Sequence, residues 1–541
     1  MTTGFPYPSA HAQVPPGQIL PPLPPPPARE FEPLPRERVS VREIRVTGST
    51  VFSTEELAEV TAPYVNRELT AEDLEAVRLA LTLLYVNKGY VNSGAILPDQ
   101  TVTEGVITFQ IIEGEVTSVE VQGNRWFRAS YLQKRLLLGA GPPLNVNALQ
   151  QQIQLLLEDP RIRRLTAEVK PGLKPGEAVL SVLVEERGPY KLWFDFNNYQ
   201  SPSVGAEIGI GNIEHQNLTG NGDILTLRYG RSEGVNPLLD FKYSLPFTAR
   251  DTTLILQYRK SPSDVTEQPF AGLDIESKED IYTVTLRQPV YRTLNSEFAL
   301  ELTGERISSK TFLLGEPFSL SPGAQQGKSD VTAVRIAQEW VYRTQNQVLA
   351  ARSRFSVGVD ALGATINPAG EPDGQFFAWL GQFQWVRLLG ILDTQLIFRS
   401  AVQLAAESLL APEQIPVGGR YSVRGYRENT LVRDNAFLAS LEGRLPLVRN
   451  ARWADFLELA PFVDYGRAWN TDLPTLDPKD IWSVGVGLRW GLTISEPAPT
   501  YFVPLRAYFE IYWGHPLRDV PTVGGDLQDD GIHLQFIFGA Y

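Results

Sequence analysis

The chain has 541 residues, with 49 basic against 62 acidic side chains and a net charge of −13. That length exceeds what one packed core sustains, roughly 250–300 residues, and the acidic balance excludes a general nucleic-acid binder, which needs a basic field. The absence of cysteine excludes disulfide frameworks, thiolate zinc sites and cysteine nucleophiles. His11, His215, His515 and His533 are too scattered to form a spaced ligand motif. No apolar run reaches the ~18–20 residues of a membrane-spanning helix. Two classes remain: soluble multidomain proteins and the outer-membrane β-barrel, whose strands escape hydropathy scans.

In chain order, residues 1–38 come first. They carry a disproportionate share of the prolines, with Pro24-Pro25-Pro26-Pro27 as the densest run. Such a stretch favours extended polyproline geometry and cannot bury a core, so it reads as a leader or linker. Ala10-His11-Ala12 has the A-x-A form of a signal-peptidase site, although no basic and apolar regions precede it.

A repeat follows at an offset of 75 residues. Val41, Ile44, Val46, Gly48 and Phe52 are answered by Val116, Val119, Val121, Gly123 and Phe127. The same offset maps Leu69, Thr70, Leu74 and Leu81 onto Leu144, Asn145, Leu149 and Leu156. Each copy reads as a short strand ending in glycine, a brief helix (54–61; 129–138), a longer helix and two closing strands. Thr70 and Asn145 are suited to cap the longer helices through a side-chain oxygen. In the first copy Leu74, Val77, Leu81, Leu84 and Tyr85 recur at helical spacing. The closing strands are expected at 90–96 and 105–112, then at 165–170 and 178–185, giving a three-stranded sheet with two helices on one face.

The run Gly89-Tyr90-Val91-Asn92-Ser93-Gly94-Ala95-Ile96-Leu97-Pro98-Asp99-Gln100, with Ile111-Ile112-Glu113-Gly114, resembles the POTRA pattern of two-partner secretion transporters. Pro142, Leu144, Asn145 and Pro171-Gly172 of the second copy fit the same family. The division is therefore 1–38 leader, 39–115 first POTRA domain, 116–189 second POTRA domain and 190–541 barrel.

From Tyr190 onward helical periodicity vanishes, and segments of about ten residues alternate apolar and polar side chains. Tyr282, Val284 and Leu286 alternate with Thr283, Thr285 and Arg287; Ala507, Phe509, Ile511 and Trp513 alternate with Tyr508, Glu510 and Tyr512. Lipid outside and water inside demand this period of two, with aromatics at the boundaries. Sixteen strands are expected, near 190–199, 204–213, 222–231, 236–245, 252–261, 279–290, 296–307, 330–343, 348–361, 374–387, 392–405, 434–445, 457–469, 480–493, 504–514 and 531–541. An even count lets both ends of the sheet meet, removing edges that lipid cannot satisfy. The fold class is thus a transmembrane antiparallel β-barrel preceded by two small α+β POTRA domains.

The loop from about Ala406 to Asn435 contains Gly418-Gly419-Arg420-Tyr421-Ser422-Val423-Arg424-Gly425-Tyr426-Arg427. Its core, Val423, Arg424, Gly425 and Tyr426, resembles the V-R-G-[FY] motif of barrels in the POTRA-bearing superfamily. Strand thirteen carries Phe462, Asp464 and Gly466, similar to that family's F-x-D-x-G motif. Asn217-Leu218-Thr219-Gly220-Asn221-Gly222-Asp223 resembles its early hairpin turn and is independently a turn pattern.

The resemblance implies that the loop folds into the lumen and that Arg424 pairs there with Asp464. It implies an outer-membrane transporter, not an enzyme, whose periplasmic POTRA domains capture an unfolded exoprotein and pass it through the barrel. No cofactor or metal is implied. Outer-membrane lipid, the secreted cargo and the barrel-assembly machinery are the expected partners, and nucleic acid is not one. The rival within the superfamily is an assembly insertase, which generally carries more POTRA units; the rival outside it is a passive channel.

Overall fold

The computed structural model describes residues 38–495, 503–522 and 524–541; the proline-rich leader and its Ala10-His11-Ala12 pattern lie outside the described residues. The chain divides into two compact units, one ending at Glu186 and one running from Arg187 to Tyr541.

The first unit contains β1 (Val39–Val41), β2 (Glu43–Thr47), α1 (Thr54–Thr61), β3 (Arg67–Leu69), α2 (Ala71–Asn87), β4 (Gly94–Ile96) and β5 (Val106–Ile112). It then continues with β6 (Glu115–Gln122), α3 (Ala129–Leu136), α4 (Val146–Leu157), β7 (Ile162–Pro171) and β8 (Glu177–Glu186). Two sheets result, ordered β2-β5-β4 and β6-β8-β7, each with its first strand parallel to its last. The ribbon of β1 with β3 was not expected, because two three-residue strands are too short to show a period. Thr70 accepts from the Asp73 N–H while Asp73 reaches back to the Thr70 N–H, and Asn145 accepts from Asn147 and Ala148, so both long helices start on a side-chain cap. Val77, Leu81 and Tyr85 of α2 bury against Ile107, Phe109 and Ile111 of β5. Leu149, Ile153 and Leu156 of α4 bury against Leu165, Leu180, Val182 and Val184.

The repeat is also a repeat of devices. Gly48 and Gly123 have φ of +83° and +79°, and a Cβ at either would meet a carbonyl oxygen, that of Ile111 or Val184, at 2.5 and 2.4 Å. Two residues beyond each carbonyl an acid closes the same turn. Glu113 accepts from the Thr50 and Val51 N–H groups and the Tyr85 hydroxyl, and Glu186 accepts from the N–H groups of Arg125, Trp126 and Phe127. Burial pushes both carboxyls up; the hydrogen bonds outweigh it at Glu113, whose pKa lies below its ordinary value, but not at Glu186.

The family-like run of the first copy meets the second copy. The Leu144 N–H donates to the Gly114 carbonyl at 2.7 Å and the Val146 N–H to Gly89 at 2.9 Å. Asn145 Nδ2 donates to the Lys88 carbonyl at 3.0 Å, and Asn92 Nδ2 to Gly176 at 3.1 Å. A Cβ at Gly114 would fall 2.1 Å from the Asn92 side chain and push its amide off the Gly176 carbonyl.

The second unit is a closed antiparallel barrel. Its strands are β9 (Tyr190–Asn197), β10 (Ile208–His215), β11 (Ile224–Arg231), β12 (Leu238–Pro246), β13 (Thr253–Asp264), β14 (Ile275–Arg292), β15 (Ser296–Leu313) with the two-residue return β16 (Glu316–Pro317), β17 (Lys328–Arg343), β18 (Gln347–Gly358), β19 (Phe377–Leu388) and β20 (Gln395–Ala405). After a loop holding the small hairpin β21 (Ile415–Val417) and β22 (Leu431–Arg433) come β23 (Asn435–Ala451), β24 (Ala454–Trp469), β25 (Asp480–Ser495), β26 (Leu505–Pro516) and β27 (Ile532–Ala540), which pairs with β9. Setting aside β16, β21 and β22, sixteen full strands close the cylinder, one at each expected place.

Tyr282, Val284 and Leu286 are exposed on the outside while Thr285 is buried inward; Val334 and Ile336 face out while Arg335 is buried. β14 and β15 run longer than expected, because their polar outer ends keep pairing above the apolar band. Alternation of two polar sets carries no contrast, so those ends read as loop in sequence. The turn at Asn217–Asp223 closes on Asp223, which accepts from Thr219 N–H and Oγ1 at 2.9 Å, while Gly222 N–H donates to Asn217 Oδ1 at 2.8 Å.

Candidate functional site: a loop clamped inside the barrel

The connection between β20 and β23 does not project away from the barrel. Its hairpin β21/β22 and the tip between them lie against the inner wall, where Val417, Val423, Tyr426 and Leu431 bury with Ala436, Ala468 and Ile481. Apolar loop residues facing an otherwise polar wall explain how the segment enters a water-filled space: they remove one another from water.

Arg424 is 1 % exposed. Its Nε donates to Asp464 Oδ2 at 2.7 Å and its Nη2 to Oδ1 at 2.8 Å, a bidentate fork, and its own backbone N–H donates to Oδ2 at 3.1 Å. Nη1 donates to Glu442 on β23, and Nη2 also reaches Ser440 Oγ at 3.2 Å. The guanidinium lies 3.6 Å from the ring centroid of Phe462, so three residues of the loop and wall motifs meet in one contact. Two further wall arginines, Arg444 and Arg399, reach Glu442 at 2.7 and 3.4 Å.

The glycines act through space rather than through charge. Gly425 has φ +88°, and a Cβ there would meet the Gly514 carbonyl group on β26 at 2.8 Å. At Gly466 a Cβ would meet Val417 and Val423 at 2.6 and 2.8 Å. Tyr426 sends its hydroxyl to the carbonyls of Trp482 and Arg518 at 3.0 and 2.9 Å. All seven motif residues, Val423, Arg424, Gly425, Tyr426, Phe462, Asp464 and Gly466, therefore occupy one contact region on β23 to β26.

Sequence reasoning did not name the other anchors. Arg420 donates through Nε and Nη2 to Glu510 at 3.0 and 2.7 Å and lies 4.1 Å from the Tyr512 ring centroid. Arg427 reaches Glu267 in the β13–β14 connection at 2.7 Å and Asp529 in the β26–β27 connection at 2.6 Å. Near the loop's start, Glu413 accepts from Arg335 of β17 at 2.6 Å; at its end, Asp434 accepts from Leu409 N–H, Gln414 and Thr471 N–H. The Arg420 and Arg427 positions sat inside the quoted run, so basic residues flanking the motif were the available clue; Glu413 and Glu510 had none. Chemically the arrangement is a set of buried and half-buried ion pairs. It holds a segment in place.

The family model for haemolysin secretion/activation proteins ShlB/FhaC/HecB matches residues 176–490, and that for the ShlB-type POTRA domain matches residues 39–114. The outer membrane transporter CdiB of Dickeya dadantii is 24 % identical over 489 residues, covering 85 % of this chain and 83 % of that protein. The hemolysin transporter protein ShlB of Serratia marcescens is 22 % identical, covering 76 % and 73 %. The solved structure of CdiB from Escherichia coli shares the fold, with a TM-score of 0.67 at 21 % identity over 95 % of this chain and 92 % of that one. With more than half of the chain matched, the protein belongs to the haemolysin secretion/activation family, outer-membrane transporters of the two-partner secretion type whose POTRA domains lie in the periplasm.

Proposed function

We propose that the protein captures an unfolded exoprotein on its two POTRA domains, 39–115 and 116–189, and exports it through the barrel formed by 190–541, with the clamped loop setting the state of the lumen. The observation that supports this reading is the Arg424–Asp464–Glu442 cluster. A buried ion pair adds little net stability, yet breaking one costs about 3–5 kcal/mol, so such a cluster serves to pin a conformation. A passive channel has no use for a pinned loop in its lumen. Arg424→Ala is expected to insert normally and lose most export; unchanged secretion would take the loop out of the mechanism.

Capture falls to strand addition at β7. An unfolded segment offers backbone hydrogen bonds and alternating side chains, which an unpartnered sheet edge receives. In the first domain the edges are β2, with five residues, and β4, with three, and the Ala95 backbone of β4 is already engaged: the N–H donates to Thr82 Oγ1 at 3.1 Å and the carbonyl accepts from Arg78. In the second, the edges are β6, with eight residues, and β7, with ten, and the Val119 carbonyl of β6 already accepts from Gln133 Nε2 at 2.8 Å. The remaining partners in this reading are lipid around the apolar band and the assembly machinery, for which Phe536 and Phe538 on the last strand supply an exposed aromatic face. No reaction, cofactor, metal or nucleic acid enters it.

A further inference from the structure

The outward face of the barrel carries a row of three lysines just beyond the apolar band. Lys278 of β14 stands directly opposite Lys310 of β15, which stands directly opposite Lys328 of β17. All three side chains are exposed. Their even positions share a face with Tyr282, Val284 and Leu286 on β14, Leu300 and Leu302 on β15, and Val334 and Ile336 on β17, the exposed apolar residues of the lipid band. No register shift intervenes; the irregularity in this pairing lies at Pro289/Tyr291, on the far side of the band. The three ammonium groups therefore point toward the surrounding membrane, not into the lumen.

Their depth follows from the same register. Tyr258 and Tyr282, with ring centroids 4.9 Å apart, mark the aromatic belt. The lysine row lies four residues farther along the strand, about 10 Å farther out at ~3.4 Å per residue and a tilt near 40°. The chain leaves the periplasmic POTRA unit through Arg187–Pro189 directly into β9, so alternation of the strands puts this end of β14, β15 and β17 on the cell surface. That height is the headgroup layer of the outer leaflet.

Charges closer to the belt are matched: Lys260 opposes Asp280, and Arg306 pairs with Asp330 at 3.1 Å. In the row itself Lys278 pairs with Glu276 at 3.0 Å and covers the Phe312 ring. Among the described residues, neither the Lys310 nor the Lys328 ammonium has a hydrogen-bond or ion-pair partner. Like charges directly opposite on a sheet destabilise it, and three in line do so twice. An anion seated across them removes that repulsion, and phosphate takes several ammonium donors at once.

We propose that Lys278, Lys310 and Lys328 form a docking site for the phosphorylated headgroup of an outer-leaflet lipid, whose acyl chains lie along Leu302, Val334 and Ile336. The outward aim favours lipid over an emerging acidic cargo, which leaves through the lumen.

The test uses the full-length protein in detergent, titrated with bis-phosphorylated lipid A, with the same lipid A after phosphate removal, and with inorganic phosphate. The wild type is expected to bind the phosphorylated form at least about tenfold more tightly than the dephosphorylated form. Lys278→Gln/Lys310→Gln/Lys328→Gln should lose that preference, the corresponding triple Arg variant should keep it, and inorganic phosphate should not compete. Equal wild-type affinity for the two lipid forms overturns the proposal even where the Gln variant fails to fold. So does a Gln variant, shown to be folded by its heat-modifiable migration, that binds lipid undiminished; loss of exoprotein export with lipid binding intact would assign the row to cargo instead.

Discussion

Arg424 directs all three guanidinium nitrogens and its backbone N–H at the barrel wall, and that engagement sets what its removal does. Its fork to Asp464 matches the planar carboxylate geometry, which an ammonium cannot copy. Arg424→Ala leaves Asp464 and Glu442 buried without their principal cation and is expected to lower barrel stability by about 3–5 kcal/mol. Adding Asp464→Ala should return part of that loss, because one stranded carboxylate is gone, while export stays defective. Equilibrium unfolding of the two single variants and the double variant measures the coupling; an interaction energy near zero would mean that water already screens the pair. Arg424 and Asp464 could be named from sequence because each sits in a motif with a fixed neighbour pattern. Glu442 could not, since an inward acid on a barrel strand looks like every other polar residue at an alternate position.

At the scale of elements, the repeated turn is the part of the first unit most sensitive to acid. Burial acts to raise the Glu113 carboxyl, but Thr50, Tyr85 and the Val51 N–H hold it below its ordinary value of 4.5. A group with a lowered folded-state pKa contributes stability that is complete above its unfolded value and disappears as pH falls through the folded one. Protection of the Thr50 and Val51 amides from hydrogen exchange should therefore fall below pH 4.5 in the wild type, relative to intrinsic exchange rates, and much less steeply in Glu113→Gln. Parallel profiles would show that the turn does not depend on the carboxylate. The bonds between the two copies explain why the family-like run in the first copy was easier to recognise than to interpret. Gly114, Gly89 and Asn92 bond Leu144, Val146 and Gly176 of the second copy, a relation that a single repeat unit does not contain.

For the whole molecule, alternation alone placed all sixteen barrel strands, because a period of two between lipid and water is enforced along every strand. It misjudged the outer ends of β14 and β15 and missed the hairpin β21/β22, where neither lipid contrast nor sufficient length operates. The strand-addition route also belongs at this scale, since cargo must move from one unit to the other. The natural absence of cysteine makes it directly testable. Single cysteines at Thr166, Glu168 and Lys170 of β7, set against a stalled exoprotein carrying a cysteine ladder, should crosslink at every second cargo position, whereas Ala95→Cys in β4 should crosslink weakly. A scan without a two-residue period would sink strand addition.

The cylinder is sealed by β27 zipping onto β9, where Gln535 bonds Asp195 across 340 positions of sequence. Every other neighbouring pair is a hairpin or a nearby return, so the ring can be laid down stave by stave but cannot become watertight until residues 532–540 arrive. A ribosome that stalls shortly before them leaves a trough with two raw margins, at β9 and β26. For this protein, late termination defects should therefore weigh on the cell as a leaky or sticky sheet rather than as a slightly shortened transporter.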